Sequence, residues 1–150
     1  MALEIAGLPE IPPKDVDKMV KTIATELNMD EEQLQSSQLL PGSKDKPGPI
    51  LVNMKTKLAR KQWIDAAKEK CLTVGVLLPN VPKEKADNRV YIREALTKYV
   101  KTLLYNTKRQ LRSSFQFIWC KDGKVCVRKN INSKIHYIRS ELDIERLLDN

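Results

Sequence analysis

Histidine occurs once in this 150-residue chain, at His136, and glycine, cysteine and aromatic residues are scarce, at five, three and eight. Each shortage excludes a class of chemistry. Five scattered glycines cannot build a glycine-rich phosphate loop. No serine or cysteine has a base and an orienting acid to activate it. Acid pairs such as Glu31-Glu32 lie in an acidic N-terminal part and read as solvated helix-start charges. The chain is therefore expected not to be an enzyme and to need no cofactor. Cys71, Cys120 and Cys126 are odd in number and match neither a disulfide framework nor a redox pair, so reduced thiols are expected. A zinc site would have to join Cys120, Cys126 and His136, but the cysteine spacing is wider than usual and no fourth ligand is in view, so no metal is expected. Apolar runs fall well short of the ~20 residues that cross a bilayer. The N-terminus lacks the charged-then-apolar pattern of a secretory signal. These absences point to nucleus or cytoplasm, with no membrane partner.

Positive charge, by contrast, is abundant and unevenly placed. With 41% hydrophobic and 31% charged residues the chain can bury a core, as one domain or two small ones. The formal charge of +8 comes from a net −4 over residues 1–48, +5 over 49–94, +10 over 95–139 and −3 over 140–150. In the third stretch eleven Lys and Arg stand against the single acid Asp122. A solvated face usually mixes signs, so this clustering is a footprint for a polyanion. The bland alternative, that lysines only aid solubility, does not require such one-sidedness.

Along the chain, Leu3 to Leu8 reads as a strand and Lys14 to Leu27 as a helix, with Pro13 in its first turn and Val16, Met19, Val20, Ile23 and Leu27 as its buried stripe. An apolar piece at Leu34 to Leu40 precedes the loop PGSKDKPGP at 41–49. Ile50 to Met54 is a strand. Lys57 to Cys71 is a helix that packs with Leu58, Trp63, Ile64 and Ala67 and leaves Lys57, Arg60, Lys61 and Lys68 outside. A loose stretch with Pro79 and Pro82 leads to a strand at Arg89 to Ile92. This order is the βαββαβ pattern of ferredoxin-like domains, in which two helices cover one sheet face.

Glu94 to Arg112 reads as one long helix. At 100° per residue, Leu96, Tyr99, Val100, Leu103, Leu104, Thr107 and Leu111 form one arc, and Lys98, Lys101, Tyr105, Lys108, Arg109 and Arg112 the other. A cationic face with one aromatic can neutralise phosphates and offer a stacking plane, whereas a plain solvent face would carry some acids for salt bridges. In FQFIWCKDGKVCVRK the pair Asp122-Gly123 predicts a type I′ hairpin, which sets Ile118 opposite Val127 and Cys120 opposite Val125 on a core side. The other side carries Phe115, Phe117, Trp119, Lys121, Lys124 and Arg128; its rings could stack bases, but the core is the favoured place for them. Cys120 and Cys126 then point to opposite faces. A third strand covers Lys134 to Arg139, and Ser140 is expected to cap the acidic helix SELDIERLL, with Asp143 completing a capping box.

NRVYIREALT at 88–97 and IWCKDGKVCVRKNINSKIHYIRSELDIERLL at 118–148 resemble the C-terminal domain of the baculovirus few-polyhedra (FP) proteins, also found in insect LINE-type retrotransposon proteins. LEIAGLPE at 3–10 with PILVNMKTK at 49–57 looks like the RNA-recognition-like part that precedes it. The resemblance implies an RNA-recognition-type (RRM-like) half followed by a small C-terminal domain, together gripping single-stranded nucleic acid. It also puts Glu4 where the first RNA-recognition motif has a stacking aromatic, which moves the expectation from stacking on that sheet to phosphate contacts. Relatives of this type carry an upstream coiled coil for self-association, so the chain is expected to be a fragment of a longer protein.

The reading is an α+β chain, an RRM-like domain at 1–93 and a basic C-terminal FP-like domain at 94–150. The latter comprises a long helix, a three-stranded antiparallel sheet and a short helix. Its expected role is non-catalytic binding of single-stranded RNA or DNA, RNA favoured, with low sequence specificity, as in viral or retrotransposon nucleic-acid packaging. The expected contacts are Lys57, Arg60, Lys61, Lys98, Lys101, Tyr105, Lys108, Arg109, Arg112, Lys121, Lys124, Arg128, Lys129 and Arg139. The alternative is a protein-interaction module that uses the acidic N-terminal helix and the apolar loop VGVLLPNVP at 74–82. A nuclease or other hydrolase would need clustered carboxylates or metal ligands, which the sequence does not offer.

Overall fold

Period-2 alternation in the strands and period-3.6 stripes in the helices bury one side of each element in the computed structural model, which describes residues 2–149. The first of two units ends at Ala95 and the second begins at Leu96. Both are α+β with antiparallel sheets.

In the first unit the elements run β1 (Ala2–Ala6), α1 (Val16–Glu26), β2 (Leu34–Leu39), β3 (Ile50–Met54), α2 (Lys57–Lys70), the single turns α3 (Val74–Leu77) and α4 (Lys83–Ala86), and β4 (Tyr91–Glu94). The sheet order is β2-β3-β1-β4, every neighbouring pair antiparallel. Leu3, Ile5, Ile50, Val52, Met54 and Ile92 point from the sheet into a core completed by the α1 stripe, Ala59, Trp63 and Ala67. The α1 stripe is the one its sequence predicts. Leu58 is not in the core: it is 65% exposed, and Ala59 takes the buried position on α2. The helix ends where Cys71 turns left-handed, at φ 54°. The 74–82 loop is largely a lid on the core: Val74 and Leu77 are buried, Leu78 and Val81 pack beside them, and Val76 faces solvent.

The first strand stops at Ala6 rather than Leu8 because Gly7 adopts φ +94° and passes close to the backbone of Arg89. Strand β4 lies two residues later than expected, and Glu94 therefore ends a strand rather than starting a helix.

The second unit contains α5 (Lys98–Leu111), β5 (Phe117–Lys121), β6 (Lys124–Arg128), β7 (His136–Ile138) and α6 (Glu141–Leu148). Thr97 starts α5, its Oγ1 accepting from the Val100 N–H at 3.2 Å. Leu103, Leu111, Phe115, Val125, Val127, Ile138 and Ile144 form the core, so α5 and α6 share one face of the sheet. Thr107 is buried with them, its hydroxyl donating to the Leu103 carbonyl at 2.7 Å. Tyr99, expected in the buried arc, is instead 61% exposed and donates its hydroxyl to the Arg139 carbonyl at 2.8 Å. The expected capping box does not form: Ser140 makes no side-chain cap, and the Asp143 carboxylate accepts the N–H of Arg139, one residue before the cap, at 2.8 Å.

Two glycines separate strain from crowding. Ala at Gly7 would bring a Cβ to 2.3 Å from the Arg89 carbonyl oxygen, whereas Ala at Gly123, φ +75°, meets open space. Gly123→Ala should cost about 1 kcal/mol from backbone strain alone. Gly7→Ala should cost more than about 2 kcal/mol, since the β1–β4 edge must also separate. Urea unfolding of each variant against wild type checks this; equal losses would contradict it.

Candidate nucleic-acid interface

The hairpin sets the geometry of one surface. Asp122 and Gly123 have φ 53° and 75°, both left-handed as a type I′ turn requires. The register follows: Phe117 pairs with Arg128, Ile118 with Val127, Trp119 with Cys126, Cys120 with Val125 and Lys121 with Lys124. Strand β7 adds Ile138 opposite Val125 and Tyr137 opposite Cys126. Ile118, Val125, Val127 and Ile138 turn to the helices. By alternation Phe117, Trp119, Lys121, Lys124, Cys126, Arg128 and Tyr137 share the other face.

Expected core positions for the rings hold in part. Phe115 is buried, but Phe117 and Trp119 are half-buried and stand outside the core, on the face away from the helices. They line a cavity of about 330 Å³ with Gln116, Ile118 and Arg128. The Arg128 guanidinium lies 5.3 Å from the Phe117 ring centroid, a cation–π arrangement, and its Nε is buried without a hydrogen-bond partner. Lys129 turns the other way, its Nζ 5.9 Å from the Phe115 ring. Lys121 and Lys124 flank the turn, both exposed, and Arg139 is exposed just past β7.

Helix α5 presents the second cationic surface. Lys98, Lys101, Tyr105, Arg109 and Arg112 are exposed and Lys108 is half-buried, all on the side away from the sheet. No acid occurs within the helix, and Lys98, Lys108, Arg109 and Arg112 form no ion pair among the described residues. The expected cations are therefore not one patch. Within this unit the α5 group and the Lys121, Lys124, Arg128 group look in opposite directions from a helix-on-sheet sandwich.

Lys57, Arg60 and Lys61 belong to the first unit, on the opening turn of α2, where Thr56 caps by accepting the Ala59 N–H at 3.0 Å. The open face of that sheet carries Glu4 beside Leu51 and Arg93. Glu4 is 3% exposed and its Oε2 lies 3.4 Å from Arg93 Nε, so a paired carboxylate occupies the centre of the sheet. Among the described residues no three His, Cys, Asp or Glu side chains gather as a metal site, and no helix is long and apolar enough to cross a membrane. Cys71, Cys120 and Cys126 are in no disulfide.

Tyr137 was missing from the sequence-derived set. Its signal was present: extending the hairpin register to a third antiparallel strand places Tyr137 on the rung of Trp119 and Cys126.

Comparison with known families gives two matches in chain order. Residues 1–92 match the family described as baculovirus FP protein domain 1, and residues 97–148 match baculovirus FP protein domain 2. No curated protein matches the chain.

The two tryptophans should report the two environments separately. Trp63 is 1% exposed and Trp119 half-buried on an open face. Acrylamide should quench wild-type emission in part, and Trp119→Phe should remove most of the quenchable component. Quenching unchanged in that variant would place Trp119 out of solvent reach.

Proposed function

The chain belongs to the baculovirus FP protein family, and from that premise we propose that it is a non-catalytic binder of single-stranded nucleic acid, RNA in particular, with little sequence preference. Binding of this kind suits packaging, where the ligand is a length of polyanion rather than a sequence. The observation that carries the reading is the exposed α5 face, a row of cations with no acid in the helix. Lysines and arginines so placed release counterions when they meet phosphates, which supplies affinity without reading bases.

The first unit is read as RRM-like. Its chain order and its β2-β3-β1-β4 antiparallel arrangement support that reading. Its sheet does not offer the usual aromatic platform: the Glu4–Arg93 pair stands at the centre and Tyr91 is the lone ring on the strands. This unit's contribution is assigned to phosphate contacts from Lys57, Arg60 and Lys61.

Titration of a fluorescent single-stranded RNA of ~20 nucleotides tests the proposal. About five phosphate contacts predict a loss of roughly 100-fold in affinity between 50 and 200 mM salt. Replacing Lys98, Arg109 and Arg112 together by Glu should abolish binding at the higher salt while leaving the circular dichroism spectrum unchanged. Absence of wild-type binding at low salt would overturn the reading in favour of a protein partner.

A further inference from the structure

The surface opposite α5 has an internal order that a general attraction to phosphate does not need. Across the three strands its side chains fall on rungs. The middle rung is Trp119, Cys126 and Tyr137, two rings flanking a small, buried thiol. Two residues towards the turn comes the pair Lys121 and Lys124. Continuing the β6–β7 register by one step sets Arg139 beside Lys124. Two residues the other way lie Phe117 and Arg128. One cationic rung thus adjoins one aromatic rung, about 7 Å apart along the strands.

That separation suits a nucleotide, whose base and phosphate are linked through one sugar. Tyr137 is 53% exposed and Trp119 half-buried, so flat apolar surface is left uncovered beside three exposed cations. Rings of this kind accept bases by stacking at any sequence, and the adjoining ammonium and guanidinium groups match the phosphate. At the far side of Trp119 the buried Arg128 Nε has a proton and no acceptor in the protein. A base carbonyl in the Phe117–Trp119 cavity would supply one.

We propose that this sheet face is a base-stacking site for single-stranded nucleic acid, with bases on Trp119, Tyr137 and Phe117 and the adjoining phosphate on Lys121, Lys124 and Arg139. The inference rests on the nucleic-acid reading above and goes beyond it. It assigns base contacts to a surface distinct from the α5 row and to rings of the second unit's sheet.

The test compares an oligodeoxynucleotide of ~12 thymidines with an abasic strand of the same length and charge, on wild-type protein at one salt concentration. Stacking predicts that the abasic strand binds at least about tenfold more weakly. Trp119→Leu and Tyr137→Leu should each weaken oligothymidine binding by a similar factor and leave abasic binding unchanged. Their circular dichroism should match wild type. Equal wild-type affinity for the two strands would overturn the stacking site while leaving the phosphate-binding reading intact. Failure of both strands to bind wild type at low salt would overturn both.

Discussion

The Asp122-Gly123 turn is the constraint on which the second unit depends. Both residues sit at positive φ, which only a two-residue type I′ connection demands, and that connection admits one register. A slip of one residue would carry Val125 and Val127 from the helices to solvent and bring Lys124 and Arg128 into the core. The buried cluster under α5 and α6 therefore exists because the turn does. The same register gathers rings and cations on the opposite face, so one local device determines both the packing and the surface chemistry.

Electrostatics sets how far that surface can be explained by folding alone. Residues 95–139 carry +10 with one acid, Asp122, which belongs to the turn. Self-repulsion on this scale contributes nothing to packing, and a solvated helix of ordinary kind offsets it with acids at neighbouring turns. Helix α5 has none; its polar link to α6 is Asn106 donating to Glu141 at 2.8 Å. The first unit handles charge differently, with Glu4 paired to Arg93 on its sheet and Lys70 3.6 Å from Glu26. A polyanion is the partner class that the proposed function assigns to this charge.

Much of this was legible in the sequence wherever periodicity and turn chemistry agreed. The stripe Val16, Met19, Val20, Ile23 and Leu27 is buried, and all five hairpin pairs fall where Asp-Gly places them. Errors cluster where tertiary context decides. Leu58 and Tyr99 fit helical stripes yet lie outside the core, because each stands in the first turn of its helix. Glu94 extended a helical pattern, but pairing of Leu3 with Glu94 made it strand. For the candidate site, the cations on α5 could be grouped from a helical wheel. Their separation from Lys121, Lys124 and Arg128 could not, since it depends on which sheet face the helices cover. Propensity also favours burying large rings, and it missed that the core under two helices was already filled by Val125, Val127, Ile138 and Ile144.

The central claim is that the second unit's basic surfaces engage single-stranded RNA. Backbone amide shift mapping by NMR tests it most directly, since the chain is 17.2 kDa and each residue reports for itself. On addition of a short single-stranded RNA, the account predicts perturbations concentrated at residues 98–112 and 117–139, with α1 and the 41–49 loop unchanged. Perturbations absent from both basic stretches, or confined to residues 1–50, would contradict it.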